Sequence, residues 1–261
     1  MEKEGDLIPV AALLQLDNVT IRFGGLTAVS AVSATVGEGE LVGLIGPNGA
    51  GKTTVFNMVT GVYQPTEGSI SFAGKPTAEL KPFEITERGI ARTFQNIRLF
   101  PSLTVFDNVR VAFHLHLKHD SVHSLTRGPK FHHEEIELRE RTRELLGIFN
   151  LERVQDEPAK SLPYGDQRRL EIIRALATGP KLLLLDEPAA GMNPAEKVEL
   201  MKLIQFIQEK FKLAVLLVEH DMKVVMGICQ RIHVLEYGRK IAEGTPAEIR
   251  GNKAVIAAYL G

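Results

Sequence analysis

The chain has 261 residues, 44% of them hydrophobic and 24% charged, with a formal net charge of −1. That composition suits one large domain with a substantial core, and its near-neutral balance argues against broad electrostatic binding to nucleic acid or anionic lipid. The single cysteine, Cys229, excludes an internal disulfide and a cysteine-based metal site, and wholly apolar runs such as 182–185 and 213–218 are too short to span a bilayer.

Residues 1–11 read as a flexible leader, without the basic start of a signal peptide. Residues 14–21 alternate apolar and polar, which predicts a half-buried strand; 22–25 make a turn and 28–36 a second strand. After another turn at 37–40 comes the continuous apolar run 41–45, a buried strand. Short alternating strands here suggest a small antiparallel sheet beside the main core.

The buried strand runs directly into Gly46, Pro47, Asn48, Gly49, Ala50, Gly51, Lys52, Thr53 and Thr54, followed by the helical segment 55–59. This is G-x-x-x-x-G-K-[ST] in a strand–loop–helix context, a phosphate-binding loop. Its glycines let successive backbone N–H groups curl around an anion, and the helix that follows points its positive end at it. Lys52 is placed to reach β- and γ-phosphates, and the Thr53 hydroxyl to bind Mg²⁺.

The loop helix is expected to end at Gly61, with a turn over 64–68 and a strand over 69–72. Residues 88–93 lead into Phe94 and Gln95. From about 97 to 178 the pattern becomes helical: 103–109 begins one helix and 134–149 makes another, with Ile136, Leu145, Leu146 and Phe149 as its apolar contacts. Between them, residues 114–133 hold six of the eight histidines. Their spacing fits no zinc pattern, so the segment reads as a solvated or partner-facing surface with no metal ligand.

Residues 161–167 open a helix running to about Ala177. Residues 181–188 make a buried strand that ends in Asp186 and Glu187, and Asn193 with Pro194 caps a helix running to Phe211. A further buried strand, 213–218, is followed by Glu219, His220 and Asp221; a hairpin around Tyr237–Gly238 and a short helical tail close the chain. Strands alternating with helices predict a parallel sheet covered on both faces.

Two acids at the carboxyl end of a buried strand lie where α/β sheets bind ligands. Mg²⁺ held by Thr53 and Asp186 would offset the buried charge of Asp186. Glu187, beside the γ-phosphate, is then placed to orient or deprotonate the attacking water. His220 follows the next apolar strand and is placed to hydrogen-bond the γ-phosphate.

These residues together resemble the ATP-binding subunits of ATP-binding-cassette transporters, over about residues 14–250. The resemblance makes 46–54 the Walker A loop, 182–187 the Walker B strand, 190–193 the D-loop and His220 the switch histidine. It makes Gln95 the Q-loop glutamine, which contacts Mg²⁺ and water and couples to membrane subunits, and gives Phe23 the adenine-stacking position. The implied fold is α/β: a P-loop NTPase nucleotide-binding domain over 12–250 with a RecA-like core, an antiparallel β subdomain and a helical subdomain at about 97–178, then a tail helix at 251–261.

The implied ligands are ATP and Mg²⁺. The implied assembly is a head-to-tail dimer, with itself or a paralogous ATPase subunit, in which the signature loop of one subunit covers the ATP of the other. It would be attached to two integral membrane permease subunits on the cytoplasmic face of the cell (inner) membrane, served indirectly by a periplasmic or extracellular solute-binding protein.

The signature departs from Leu-Ser-Gly-Gly-Gln, reading Leu162, Pro163, Tyr164, Gly165, Asp166. Pro163 lacks both a hydroxyl and a backbone N–H, so the partner's γ-phosphate must rely on the Tyr164 and Gly165 N–H groups and the helix dipole. Asp166 is expected to cap the helix, and Asn193 stands where the family usually has Asp.

Three segments are similar to the Liv-type branched-chain amino-acid importer ATPases: Arg92 to Asn96 with Leu99–Phe100 and 103–105, the Tyr-Gly signature with 168–171, and 186–194. The resemblance therefore implies an ATP-hydrolysing importer subunit for branched-chain or related hydrophobic amino acids. Lipopolysaccharide-export ATPases share the Tyr-Gly signature and form one alternative. A soluble cassette ATPase acting on nucleic acid or ribosomes is another, but the chain has one cassette, no long heptad run and no net positive charge.

Overall fold

The computed structural model describes residues 12–113, 115 and 129–260. The leader at 1–11 and most of the histidine-rich stretch lie outside the described residues.

Two sheets organise the chain. Strands β1 (Ala12–Phe23), β2 (Leu26–Gly37), β4 (Glu67–Phe72) and β5 (Lys75–Pro76) form an antiparallel sheet in the order β2-β1-β4-β5. β1 is longer than the alternation suggested and bends where Asn18 takes φ +46° and the register slips between Leu16 and Val19, as a bulge does.

The second sheet is built from β3 (Leu41–Ile45), β6 (Ile90–Arg92), β7 (Leu182–Asp186), β8 (Ala214–Val218), β9 (Arg231–Glu236) and β10 (Arg239–Gly244), in the order β10-β9-β3-β8-β7-β6. Its first five strands by chain position pair in parallel, and β10 closes one edge as the antiparallel arm of the expected hairpin.

Both faces of this sheet are buried, and successive residues feed different cores. In β7, Leu182 and Leu184 face the core shared with the antiparallel sheet, whereas Leu183 and Leu185 face the core shared with the helices. β8 divides in the same way, with Leu216 and Val218 on one side and Val215 and Leu217 on the other. That is why these strands read as continuous apolar runs. A Leu→Ala change at such a site typically costs about 2–5 kcal/mol.

Helix α1 (Lys52–Val59) adds Val55, Phe56, Met58 and Val59 to the first core, and Gly61, at φ +71°, lies just beyond its end as expected. Helices α3 (Val105–Phe113), α4 (Pro129–Ile148) and α5 (Tyr164–Ala177) join through Val109, Phe113, Leu146, Phe149 and Leu170 in the second core. α4 starts earlier than the 134 expected. Helix α6 (Pro194–Phe211) has the foreseen limits: Asn193 accepts from the N–H groups of Ala195 and Glu196 at 2.9 and 3.0 Å.

Two short helices carry too few turns to show a period in sequence, α2 (Pro82–Glu87) and α7 (Met222–Ile228). Asp221 starts the second by accepting from the Lys223 N–H at 2.8 Å. α8 (Pro246–Gly251) and α9 (Lys253–Leu260) form the tail. No described helix is long and apolar enough to cross a membrane.

Candidate functional site

β3, β8 and β7 are adjacent and parallel, so their carboxyl ends deliver the phosphate loop, Glu219–His220 and Asp186–Glu187 to one edge of the sheet. The loop's backbone demands glycine at its two ends. Gly46 has φ +152° and Gly51 φ +98°, and a Cβ on them would lie 2.1 Å from the Leu235 carbonyl oxygen and 2.9 Å from that of Ala28. Lys52 is buried, and its Nζ donates to the Gly46 and Pro47 carbonyls at 2.8 and 3.0 Å. Burial lowers the ammonium pKa, against the opposing pull of Glu187 and Asp186.

The loop opens on a pocket of about 410 Å³ lined by Asn48, Gly49, Ala50, Gly51, Lys52, Thr53 and Thr54, with 26–28 of β2, Glu187, His220 and Tyr237. Glu187 holds a left-handed backbone, φ +47°, fixed by its N–H donating to the Val218 carbonyl at 2.8 Å. Such conformations cost about 1–3 kcal/mol and concentrate at functional sites. Its carboxylate lies between two of the expected site residues: Gln95 Nε2 donates to Oε2 at 2.6 Å, and His220 Nε2 lies 2.5 Å from Oε1. Gln95, Glu187 and His220 therefore form one cluster, of which Glu187 and His220 line the phosphate pocket.

Asp186 is buried and paired with Arg92, whose NH2 group donates to Oδ2 at 2.7 Å. Arg92 NH1 donates to Asn57 Oδ1 at 2.7 Å, and its guanidinium lies 5.4 Å from the Phe56 ring centre and 5.0 Å from that of Phe94. The pair offsets the buried carboxylate charge within the protein. Asp186 Oδ1 accepts no hydrogen bond from the described residues. With the Thr53 hydroxyl and the Gln95 amide it supplies hard oxygen donors of the kind Mg²⁺ prefers. Among the described residues no three His, Cys, Asp or Glu side chains are grouped so as to hold a metal ion.

Glu219 lies beneath these groups, accepting from the Ala189 N–H at 2.6 Å and the His220 N–H at 3.1 Å. Burial raises its carboxyl pKa despite those bonds. It ties the turn after Glu187 to the turn bearing His220.

Phe23 is half exposed and meets Tyr63 edge to face, with ring centres 5.1 Å apart; it does not line the phosphate pocket. Tyr164 and Gly165 stand on the first turn of α5, also outside that pocket. The expected capping by Asp166 is not found. Pro163 is the N-cap residue and offers no side-chain bond, while Asp166, three positions on, pairs with Arg169 at 3.4 Å. A carboxylate at that position still complements the helix dipole.

Beneath the signature turn lies a buried ion pair. Arg168 is fully buried; its NH1 donates to Glu171 Oε2 at 2.7 Å and to the Phe94 carbonyl at 2.6 Å, and its NH2 to the Gln95 carbonyl at 2.7 Å and the Tyr164 hydroxyl at 3.2 Å. Glu171 Oε1 accepts from the N–H groups of Phe94 and Arg98 at 3.3 and 3.1 Å. The Tyr164 hydroxyl donates to the Ala190 carbonyl at 3.2 Å. One helix thus holds the backbone on both sides of Gln95 and touches the D-loop. The sequence carried a signal for this pair: two opposite charges three apart among Leu170, Ile172 and Ile173.

A phosphate loop facing an acid, a histidine and a glutamine at the end of a parallel sheet defines a P-loop ATPase. The chain belongs to the ABC transporter family, whose model matches residues 29–190; a second model, described as the branched-chain amino acid ATP-binding cassette transporter, matches 239–261. It is an ATP-binding ABC ATPase.

The high-affinity branched-chain amino acid transport ATP-binding protein BraF of Pseudomonas aeruginosa is 47% identical over 249 residues, 95% of this chain and 98% of the relative. The lipopolysaccharide export system ATP-binding protein LptB of Escherichia coli K12 is 35% identical over 250 residues, 96% of this chain and 98% of the relative. Among solved structures, the ADP conformation of MJ1267, an ATP-binding cassette of an ABC transporter, superposes with a TM-score of 0.83 at 30% identity, covering 96% of this chain and 99% of that one. A dimeric post-hydrolysis state of the cassette MJ0796 bound to ADP and Pi gives 0.74 at 29% identity, covering 89% and 98%.

Proposed function

We propose that this chain is the ATP-hydrolysing subunit of an importer for branched-chain or related hydrophobic amino acids. The observation that carries the catalytic part is Glu187, which lines the phosphate pocket and is held between Gln95 and His220. The amino-acid assignment is supported by the 47% identity to BraF and by the match at 239–261, both of which favour import over the export role of the 35% identical LptB.

In this reading the N–H groups of residues 46–54 and Lys52 bind the phosphates, and Phe23 stacks on adenine. Thr53, Asp186 and Gln95 would hold Mg²⁺, which would supply neutralisation of phosphate charge. Glu187 orients a water and accepts its proton as the water oxygen bonds to the γ-phosphorus and the bond to the ADP oxygen breaks. His220 donates a hydrogen bond to a γ-phosphate oxygen and, with Gln95, fixes the Glu187 carboxylate. Tyr164 and Gly165 serve the other subunit's ATP, consistent with their standing outside this chain's own pocket.

The working unit is then a head-to-tail dimer, with itself or a paralogous ATPase, attached to two permease subunits at the cytoplasmic face of the membrane. A solute-binding protein outside acts indirectly. Residues 97–178 form the helical subdomain, through which hydrolysis moves the permeases. The test is ATP turnover of the reconstituted complex with candidate binding proteins and Leu, Ile or Val. Stimulation by one of them is expected. Lack of stimulation by all three rejects the amino-acid assignment and leaves the ATPase intact.

A further inference from the structure

The turn between β9 and β10 consists of Tyr237 and Gly238, both with positive φ, +44° and +75°. Two-residue hairpin turns of this kind favour Asn, Asp or Gly at the first position, because a larger side chain is strained in the left-handed backbone. Packing does not compensate: Tyr237 is 87% exposed, more than any other large hydrophobic side chain described. Neither the backbone nor the core of this chain accounts for a tyrosine here.

The turn is nevertheless held rigidly against the nucleotide site. The Gly238 N–H donates to the Ala50 carbonyl of the phosphate loop at 3.1 Å, and the Ser30 N–H donates to the Gly238 carbonyl at 2.8 Å. Tyr237 lines the same pocket as the phosphate loop, Glu187 and His220. Leu26, which is 67% exposed, lines it too. Two large side chains with exposed apolar surface therefore line the pocket alongside the phosphate loop.

We propose that Tyr237 is a nucleotide-binding residue, its ring packing on the ribose–base portion of bound ATP and forming, with Leu26, a wall separate from Phe23. This rests on the ATP-binding reading of the same pocket. An aromatic face under a nucleoside contributes through stacking and excluded water, and the fixed turn means that little ordering remains to be done on binding.

The experiment is calorimetric binding of ATP and of inorganic triphosphate to the full chain in a Glu187→Gln background, which slows turnover. Tyr237, Tyr237→Asn and Tyr237→Phe are compared, with the melting temperature of each protein without ligand. Loss of one stacking contact corresponds to a weakening of ATP of about fivefold to a hundredfold. Tyr237→Asn should show that loss while binding triphosphate as before and melting at a higher temperature, since Asn accepts the backbone better. Tyr237→Phe should bind ATP within about twofold of the parent.

Equal ATP affinity in Tyr237→Asn overturns the proposal. So does parallel weakening of ATP and triphosphate, which would mean that the turn acts through the loop. If the parent binds neither ligand, the ATP-binding reading itself fails, a different result from either.

Discussion

Replacing Arg168 by methionine keeps most of the side chain's length and removes a guanidinium that is fully buried and makes four hydrogen bonds. The change strands Glu171, itself 5% exposed, without its counter-charge. It also leaves the Phe94 and Gln95 carbonyls without their donor. Breaking a buried pair from one side typically costs about 3–5 kcal/mol. In a chain of this size that corresponds to a melting temperature lower by roughly 6–20 °C.

Glu171→Leu should cost a similar amount, since the N–H groups of Phe94 and Arg98 lose their acceptor. The two changes together should cost less than their sum by about 1 kcal/mol or more, because the second removes the stranded charge that the first creates. Urea unfolding of the four proteins in the cycle reads this directly. A loss below about 1 kcal/mol for Arg168→Met, or strict additivity in the cycle, would refute the pair as the clamp on the Gln95 segment.

Glu187→Gln should retain ATP binding and lower phosphate release by about a hundredfold to ten-thousandfold, the usual range for a lost general base; turnover above a tenth of the parent rate counts against that role. Pro163→Ser, added to Glu187→Gln, should increase ATP-induced dimer seen by light scattering, because it restores a hydroxyl at the signature turn; no gain would show that the proline does not limit closure. Burial alone would raise the Glu243 pKa, but hydrogen bonds from Lys240 and Arg231 outweigh it and hold the carboxyl at about 2 against an ordinary 4.5. The stabilisation is thus present above pH 4.5 and lost as pH falls towards 2. Glu243→Gln should flatten that acid limb of the urea midpoint, and an unchanged limb argues against the contribution.

The parts of the site that are local in sequence were legible without coordinates. The phosphate loop, the acids ending β7 and the cap of α6 each depend on a few consecutive residues whose chemistry is hard to mistake. Other parts are assembled by the fold. Gln95 and Glu187 lie 92 residues apart, and only the family resemblance joined them. Arg92 was noted within a similar segment, yet its pairing with Asp186 follows from the adjacency of β6 and β7, and β6 is only three residues long. Asp166 looks like a cap in sequence, but the N-cap lies three residues earlier, at a proline that leaves the helix end unsatisfied by any side chain. Tyr237 was visible as a turn residue, but its nearness to the phosphate loop depends on hydrogen bonds from the turn to Ala50 and Ser30.

The run of leucines in β7 has a consequence for how the fold finds its alignment. A strand that is apolar on both faces can slide by one residue and still bury leucine on each side, so its hydrophobic pattern sets no register. Its ends do. The N–H groups of Lys181 and Leu182 both donate to the Gly89 carbonyl, at 2.8 and 3.0 Å, and that of Glu187 donates to Val218. A slip of one residue would carry either Lys181 or Glu187 into the sheet, where a charge without a partner is expensive. Glu187, the acid proposed for hydrolysis, therefore acts with Lys181 as a stop that aligns β7, and replacing both with apolar residues would free the register as well as remove the chemistry.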